Sequence, residues 1–118
     1  MTKPLGLHIL LDVAGAPFAA LDDLQGIEKL LVDTVNRMGA TVLGIHMHRL
    51  APQGVSGVVV IAESHLTIHT WPELGEAAVD LFTCGDAGHA RLAMAALADA
   101  LGGTRRRIAE WERGAAGS

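Results

Sequence analysis

The segment from residue 62 to residue 73 carries the densest set of reactive side chains. It reads Ala62-Glu63-Ser64-His65-Leu66-Thr67-Ile68-His69-Thr70-Trp71-Pro72-Glu73. Serine supplies a nucleophile, histidine carries protons and glutamate supplies a carboxylate, and acyl transfer and proton transfer need such groups. An amphipathic strand with its polar face in water would have a similar composition. The segment alone therefore leaves a catalytic and a structural interpretation open.

Two shorter segments add a thiol and a second serine. Phe82-Thr83-Cys84-Gly85-Asp86 contains the only cysteine of the chain. A lone cysteine is more often an inert buried side chain, but before a glycine and near histidines it can donate or accept a proton. Gly54-Val55-Ser56-Gly57-Val58 places a serine between two glycines, which let another backbone approach closely. The simpler structural interpretation of this segment is a turn that leads into a strand.

The hydrophobic pattern predicts the elements that position these residues. Apolar and β-branched runs predict strands at 5–13, 41–50, 55–61, 65–71, 77–84 and 105–113. Spacings of three and four predict one helix over 21–38, with Asp22 and Asp23 in its first turn, and another from an Asp86 cap to about residue 101. Four consecutive strands favour antiparallel pairing. The prediction is a single α+β domain over residues 1–118, a two-layer sandwich with a mainly antiparallel sheet and two helices on one face.

The alternation of side chains along strand 65–71 places His65, Thr67, His69 and Trp71 on one face, with Ser64 at the strand entry. We interpret strand segments 58–61 and 79–82 as apolar on both faces, although two helices cover only one face. We therefore expect a partner to bury the second face, and a homodimer is the simplest partner.

Composition excludes several classes of function. The net charge of −4 over 118 residues argues against nucleic acid as the main partner. One cysteine allows no internal disulfide, which fits a reducing cytoplasm. The sequence contains no export segment and no apolar run long enough to cross a membrane. We expect a cytoplasmic protein without nucleic-acid or membrane partners.

Together the three reactive segments resemble the prokaryotic S-adenosylmethionine decarboxylases, which are self-cleaving and pyruvoyl-dependent. The hallmarks of that family are Glu-Ser-His, His-Thr-Trp-Pro-Glu and Phe-Thr-Cys-Gly. This chain has them at 63–65, 69–73 and 82–85, and the likeness extends over nearly its whole length.

The resemblance implies that the chain cuts itself between Glu63 and Ser64, which gives chains 1–63 and 64–118. The Ser64 hydroxyl would attack the Glu63 carbonyl, and Ser64 would end as a pyruvoyl group, the cofactor of the enzyme. His69 would handle a proton in this maturation, and Ser56 would bind the developing oxyanion.

For turnover, the resemblance implies that the small-molecule substrate forms a Schiff base with the pyruvoyl group, which accepts the electrons of the departing carboxylate. Cys84 would return a proton to the α-carbon. Glu73 would bind a polar part of the substrate, while Leu66 and Trp71 would line the pocket. The implied function is the supply of the aminopropyl donor for polyamine and spermidine biosynthesis.

Two departures from the family pattern concern the substrate. Leu50 stands where the family has a phenylalanine that stacks on adenine, and Glu76 stands where it has a tyrosine before two alanines. Stacking of an aromatic side chain on a base is worth about 1–3 kcal/mol. A pyruvoyl-dependent decarboxylase of L-arginine or L-ornithine, with Glu76 facing the substrate cation, is therefore the alternative.

Two further interpretations concern metal and loss of activity. His46 and His48, with His8, His65, His69 and His89, lack the usual spacing of metal ligands, so no metal site is predicted. A regulatory protein that kept only the fold should have lost one of Ser64, His69 and Cys84, and all three are present.

Overall fold

Residues 4–115, which the computed structural model describes, form six strands in one antiparallel sheet. The strands are β1 (Gly6–Ala14), β2 (Val42–Arg49), β3 (Val55–Ile61), β4 (Ser64–Trp71), β5 (Glu76–Thr83) and β6 (Arg105–Arg113). The helices are α1 (Phe18–Leu21), α2 (Leu24–Arg37) and α3 (Ala87–Ala100), with a 3₁₀ turn at Pro72–Leu74. The strand order is β2-β3-β4-β5-β1-β6, so β1 lies between β5 and β6 although it comes first in the chain.

One face of the sheet packs against α2 and α3. Alternate residues of each inner strand point to this face, which follows from the period of two along a strand. The apolar stripe of each helix meets them and closes the core. The fully buried members include Ile9, Leu11, Ile27, Leu31, Ile61, Leu66, Ile68, Leu81 and Met94. The predicted α+β two-layer architecture is confirmed.

The first predicted helix is wrong in one respect, because α1 and α2 replace a continuous helix over 21–38. Asp23 is the N-cap of α2, and its carboxylate accepts a hydrogen bond from the Gly26 backbone N–H. Asp22 is not in a first turn; its carboxylate accepts from the Gly54 backbone N–H at 2.9 Å. An aspartate that caps a helix stops it from extending backward, since the cap residue is not helical.

The other sheet face carries no helix among the described residues, and large apolar side chains stand on it. Val58 and Val60 alternate with buried residues of β3 and are 38% and 48% exposed. Leu10 and Trp111, on the same face of β1 and β6, are 48% and 71% exposed. These apolar residues form two groups, one on β3 and one on β1 and β6, which are separated by polar side chains of β4 and β5 such as Asp80. The expectation that segment 79–82 is apolar on both faces is therefore wrong at Asp80. Exposed apolar groups of this size are still typical of an interaction surface.

Within residues 4–115, no helix combines the length and the apolar composition that spanning a membrane requires.

Candidate active site

The predicted cleavage site lies in a tight hairpin turn. Ile61 ends β3, Ser64 begins β4, and the two residues pair, so Ala62 and Glu63 alone form the connection. Glu63 has a φ of 63°, in the left-handed region, and is the only non-glycine residue with positive φ in the described chain. A side chain in that region costs about 1–2 kcal/mol. The backbone is therefore strained at the residue whose carbonyl precedes Ser64.

A thiol contacts this strained carbonyl. The Cys84 Sγ donates a hydrogen bond to the Glu63 carbonyl oxygen at 3.3 Å. Cys84 follows the last residue of β5, where the Thr83 hydroxyl accepts from the Gly85 backbone N–H and shapes the turn. Ser64 and Cys84 both line a cavity of about 220 Å³ beside the connection between α2 and β2. A donor on a carbonyl oxygen makes its carbon easier to attack.

A second reactive pair lies on β3 and β4. Ser56 and His69 are directly opposite each other in the register, and the Ser56 Oγ is 3.1 Å from the His69 Nδ1. Both side chains are on the helix-free face of the sheet. The Trp71 ring is next to the imidazole of His69, with a centroid separation of 6.5 Å.

The structure does not bring these two groups together. Ser64 and His69 are five positions apart along β4, which at about 3.3 Å per residue places them roughly 16 Å apart. We call the group of Glu63, Ser64 and Cys84 the cleavage end of the sheet, and the group of Ser56, His69 and Trp71 the histidine end. Neither end alone contains all the catalytic residues that the sequence predicts.

Three predicted substrate residues join the histidine end. Leu50 follows β2 and is 38% exposed, and its backbone N–H donates to the Gly54 carbonyl. Glu73 lies in the exposed 3₁₀ turn after Trp71. Glu76 begins β5 opposite Trp71. Glu76 also lines a cavity of about 300 Å³ with Asp12 and three arginines, Arg105, Arg106 and Arg107.

Leu66 is placed differently from the prediction. Its side chain is 0% exposed and packs in the core beneath the sheet. The alternation along β4 requires this, because Leu66 is flanked by His65 and Thr67, which point to the opposite face. The side chain of Leu66 therefore lines no surface pocket of the single chain.

A polar cluster that the sequence analysis missed centres on Asp80 of β5. The His8 Nε2 lies 2.8 Å from the Asp80 Oδ2, and the Thr67 hydroxyl donates to the Oδ1. Burial raises the pKa of Asp80. The hydrogen bonds from Thr67 and His8, together with the nearby His65, lower the pKa by more than burial raises it, so the net pKa lies below its usual value. The available signal was Asp80 itself, a charged residue between the apolar Val79 and Leu81 of β5.

Comparisons with known proteins show which family the chain resembles over most of its length. The family model described as S-adenosylmethionine decarboxylase matches residues 7–114. The S-adenosylmethionine decarboxylase proenzyme of Methanococcus aeolicus is 45% identical over 112 residues, which cover 95% of this chain and 96% of that protein. Its counterpart in a strain of Methanococcus maripaludis is 57% identical over 84 residues, covering 71% and 69% of the two chains.

A solved structure shares the fold. The crystal structure of the adenosylmethionine decarboxylase from Aquifex aeolicus superposes with a TM-score of 0.90 at 40% identity, and the match covers 96% of this chain and 93% of that one.

Proposed function

This chain belongs to the S-adenosylmethionine decarboxylase family, and we propose that it decarboxylates S-adenosylmethionine with a pyruvoyl group that it makes from its own Ser64. The product would be the aminopropyl donor of polyamine and spermidine biosynthesis. The observation that carries the proposal is the strained Glu63 carbonyl, which accepts a hydrogen bond from Cys84 and precedes a serine.

Maturation would begin when the Ser64 Oγ attacks the Glu63 carbonyl carbon and the amide becomes an ester. Release of backbone strain at Glu63 favours this step, because an ester is otherwise less stable than an amide. Loss of the Ser64 α-proton then expels the Glu63 carboxylate and leaves dehydroalanine. Water adds to its imine tautomer and ammonia leaves, which produces the pyruvoyl end of chain 64–118. This group supplies an electron sink for decarboxylation.

Cys84 would act in both stages. In the uncleaved chain its thiol polarises the Glu63 carbonyl from 3.3 Å. In turnover the same thiol, which is exposed beside the cavity at the cleavage end, would return a proton to the substrate α-carbon. The reduced state of this lone thiol is required for both roles, which is why we place the enzyme in the cytoplasm.

The separation of the two ends supports a site completed by a second copy of the chain. His69 and Ser56 cannot reach Ser64 across roughly 16 Å of the same strand. Packing of two helix-free sheet faces about a two-fold axis would bury Val58, Val60 and Trp111. If the axis lies in this interface at right angles to the strands, it also carries the histidine end of one protomer toward the cleavage end of its partner. We propose a homodimer with two such composite sites.

The surroundings of Glu76 favour S-adenosylmethionine over a basic amino acid. A guanidinium or ammonium substrate would need this carboxylate, but Arg105, Arg106 and Arg107 line the same cavity. The positive charges of these arginines in the same cavity would repel a cationic side chain. Trp71 and Leu50 offer apolar surface that could cover adenine, and Glu73 is available for a polar group of the substrate.

Mass spectrometry and a decarboxylation assay test the proposal. Purified protein should contain chains 1–63 and 64–118, with a pyruvoyl group in place of Ser64, and should release carbon dioxide from S-adenosylmethionine faster than from L-arginine or L-ornithine. Ser64→Ala should stay full length and inactive. Thr41→Ala, which removes a hydroxyl from an exposed residue, is the control and should cleave and turn over like wild type. The proposal would be contradicted if wild type remained uncleaved, or if it released carbon dioxide faster from L-arginine or L-ornithine than from S-adenosylmethionine.

A further inference from the structure

Self-cleavage would turn residue 64 from part of a hairpin turn into a free chain end, whose position must then be fixed by other contacts. Cutting after Glu63 opens the hairpin turn and makes residue 64 a new chain end, and chain ends fray unless side chains anchor them. The reactive group must nevertheless stay fixed beside Cys84. The side chains that immediately follow residue 64 are therefore the natural anchors, and Leu66 already provides one within the core.

His65 is held on the opposite face by neighbouring rings. It lies opposite Phe82 in the register, and their ring centroids are 6.0 Å apart. The His8 ring contacts the His65 ring edge-on at 5.9 Å. The Asp80 Oδ2 faces the His65 Nε2 at 3.7 Å. The imidazole next to the future chain end is 41% exposed, and two rings and a carboxylate from β1 and β5 flank its remaining surface.

Asp80 is itself fixed by a directed series of hydrogen bonds. Arg113 can only donate, and its guanidinium lies 3.1 Å from the His8 Nδ1, so this nitrogen must be the acceptor. The proton of neutral His8 is therefore on Nε2, from which it donates to Asp80 at 2.8 Å. Thr67 donates to the other carboxylate oxygen. His8 and Thr67 therefore orient the Asp80 carboxylate from two sides. Its Oδ2 still has a lone pair that can face His65.

The same contacts argue against a metal ion at this cluster. Possible ligand atoms of His8, His65 and Asp80 lie within 4.8 Å of one another, which is the composition of a metal-binding triad. A metal would need the lone pair of the His8 Nε2, but the Arg113 contact places the proton there. The hydrogen-bond donors around Asp80 and His8 therefore favour a network that anchors side chains over a metal site.

We propose that Asp80 is a positioning residue, which through His65 holds the pyruvoyl-bearing end of chain 64–118 in place beside Cys84. The inference rests on the proposed self-cleavage. A displacement of about 1 Å at a reacting group can cost 10²-fold in rate. Loss of the anchor should therefore lower kcat while leaving substrate contacts, which lie at the histidine end, largely intact.

Asp80→Asn tests this, and Asp33→Asn is the matched control. Asp33 is an exposed carboxylate on α2, which packs on the opposite face of the sheet from His65. In mature dimers, Asp80→Asn should lower kcat about 10- to 100-fold and change KM less than about twofold. Hydrogen exchange of amides 65–67 should rise in cleaved Asp80→Asn. It should not rise when Asp80→Asn is combined with Ser64→Ala, because the intact turn still holds the strand.

The outcomes separate this inference from the proposed function. If wild type does not cleave or turn over, the proposed function fails. If wild type is active and Asp80→Asn keeps its kcat, or exchange rises equally in the uncleaved chain, only the anchoring role is refuted. Should Asp80→Asn fold poorly, His65→Ala and Thr67→Val replace it, and the same kcat and exchange criteria decide.

Discussion

Co-expression of two inactive variants gives the sharpest test of the composite site. Cys84→Ala removes a group from the cleavage end, and His69→Ala removes one from the histidine end. Within one chain Ser64 and His69 are five positions apart, which at about 3.3 Å per residue is roughly 16 Å. A hydrogen bond requires about 3 Å. Only a partner subunit can therefore bring the two ends together.

Mixed dimers should recover activity in a fixed proportion. In a dimer of Cys84→Ala with His69→Ala, one site contains both defects and the other contains neither. Random pairing makes about half of the dimers mixed, so total carbon dioxide release should reach about a quarter of wild type, and about half after selection of mixed dimers with two affinity tags.

The control pair combines two defects of the same end. Cys84→Ala with Ser64→Ala leaves one defect in each site of a mixed dimer, and activity should stay at the level of the single variants. The reasoning is refuted if His69→Ala with Cys84→Ala recovers nothing, or if the control pair recovers equally.

Four further predictions follow from single features. Val60→Asp should convert dimer to monomer in sedimentation, because it places a charge among the exposed apolar side chains of β3, whereas Leu92→Asp on the exposed side of α3 should not. Glu63→Gly should slow cleavage on a gel time course by about five- to thirtyfold, because glycine accepts the φ of 63° without about 1–2 kcal/mol of strain. Cleavage as fast as wild type would show that strain does not drive the step. Leu50→Phe should lower KM for S-adenosylmethionine about tenfold through stacking of about 1–3 kcal/mol, and an unchanged KM would show that Leu50 does not face adenine. The pKa of Asp80 is lower in the folded chain than its ordinary value of 3.8, so the stability that Asp80 contributes is present above that value and is lost as pH falls through the folded pKa. Urea unfolding of Asp80→Asn from pH 7 to pH 3 should therefore show a weaker loss of stability in acid than wild type.

Local periodicity was enough to predict much of this protein. The strands at 55–61 and 105–113 have the predicted bounds, and α3 begins after the predicted Asp86 cap. The shared face of His65, Thr67, His69 and Trp71 also agrees with the observed burial pattern of β4. These features depend on residues close in sequence, since a strand repeats every two residues and a helix every 3.6.

The tertiary structure alone decided which distant residues meet. Insertion of β1 between β5 and β6 joins His8 to Asp80, 72 residues away, and to Arg113, 105 residues away. Periodicity assigns a side chain to a face but contains no information about which strands are neighbours. It also placed Ser64 and His69 in one motif, although the rise of an extended strand puts them at opposite ends of the sheet. The short sequence separation that makes the motif recognisable is thus the reason that one chain cannot close the site by itself.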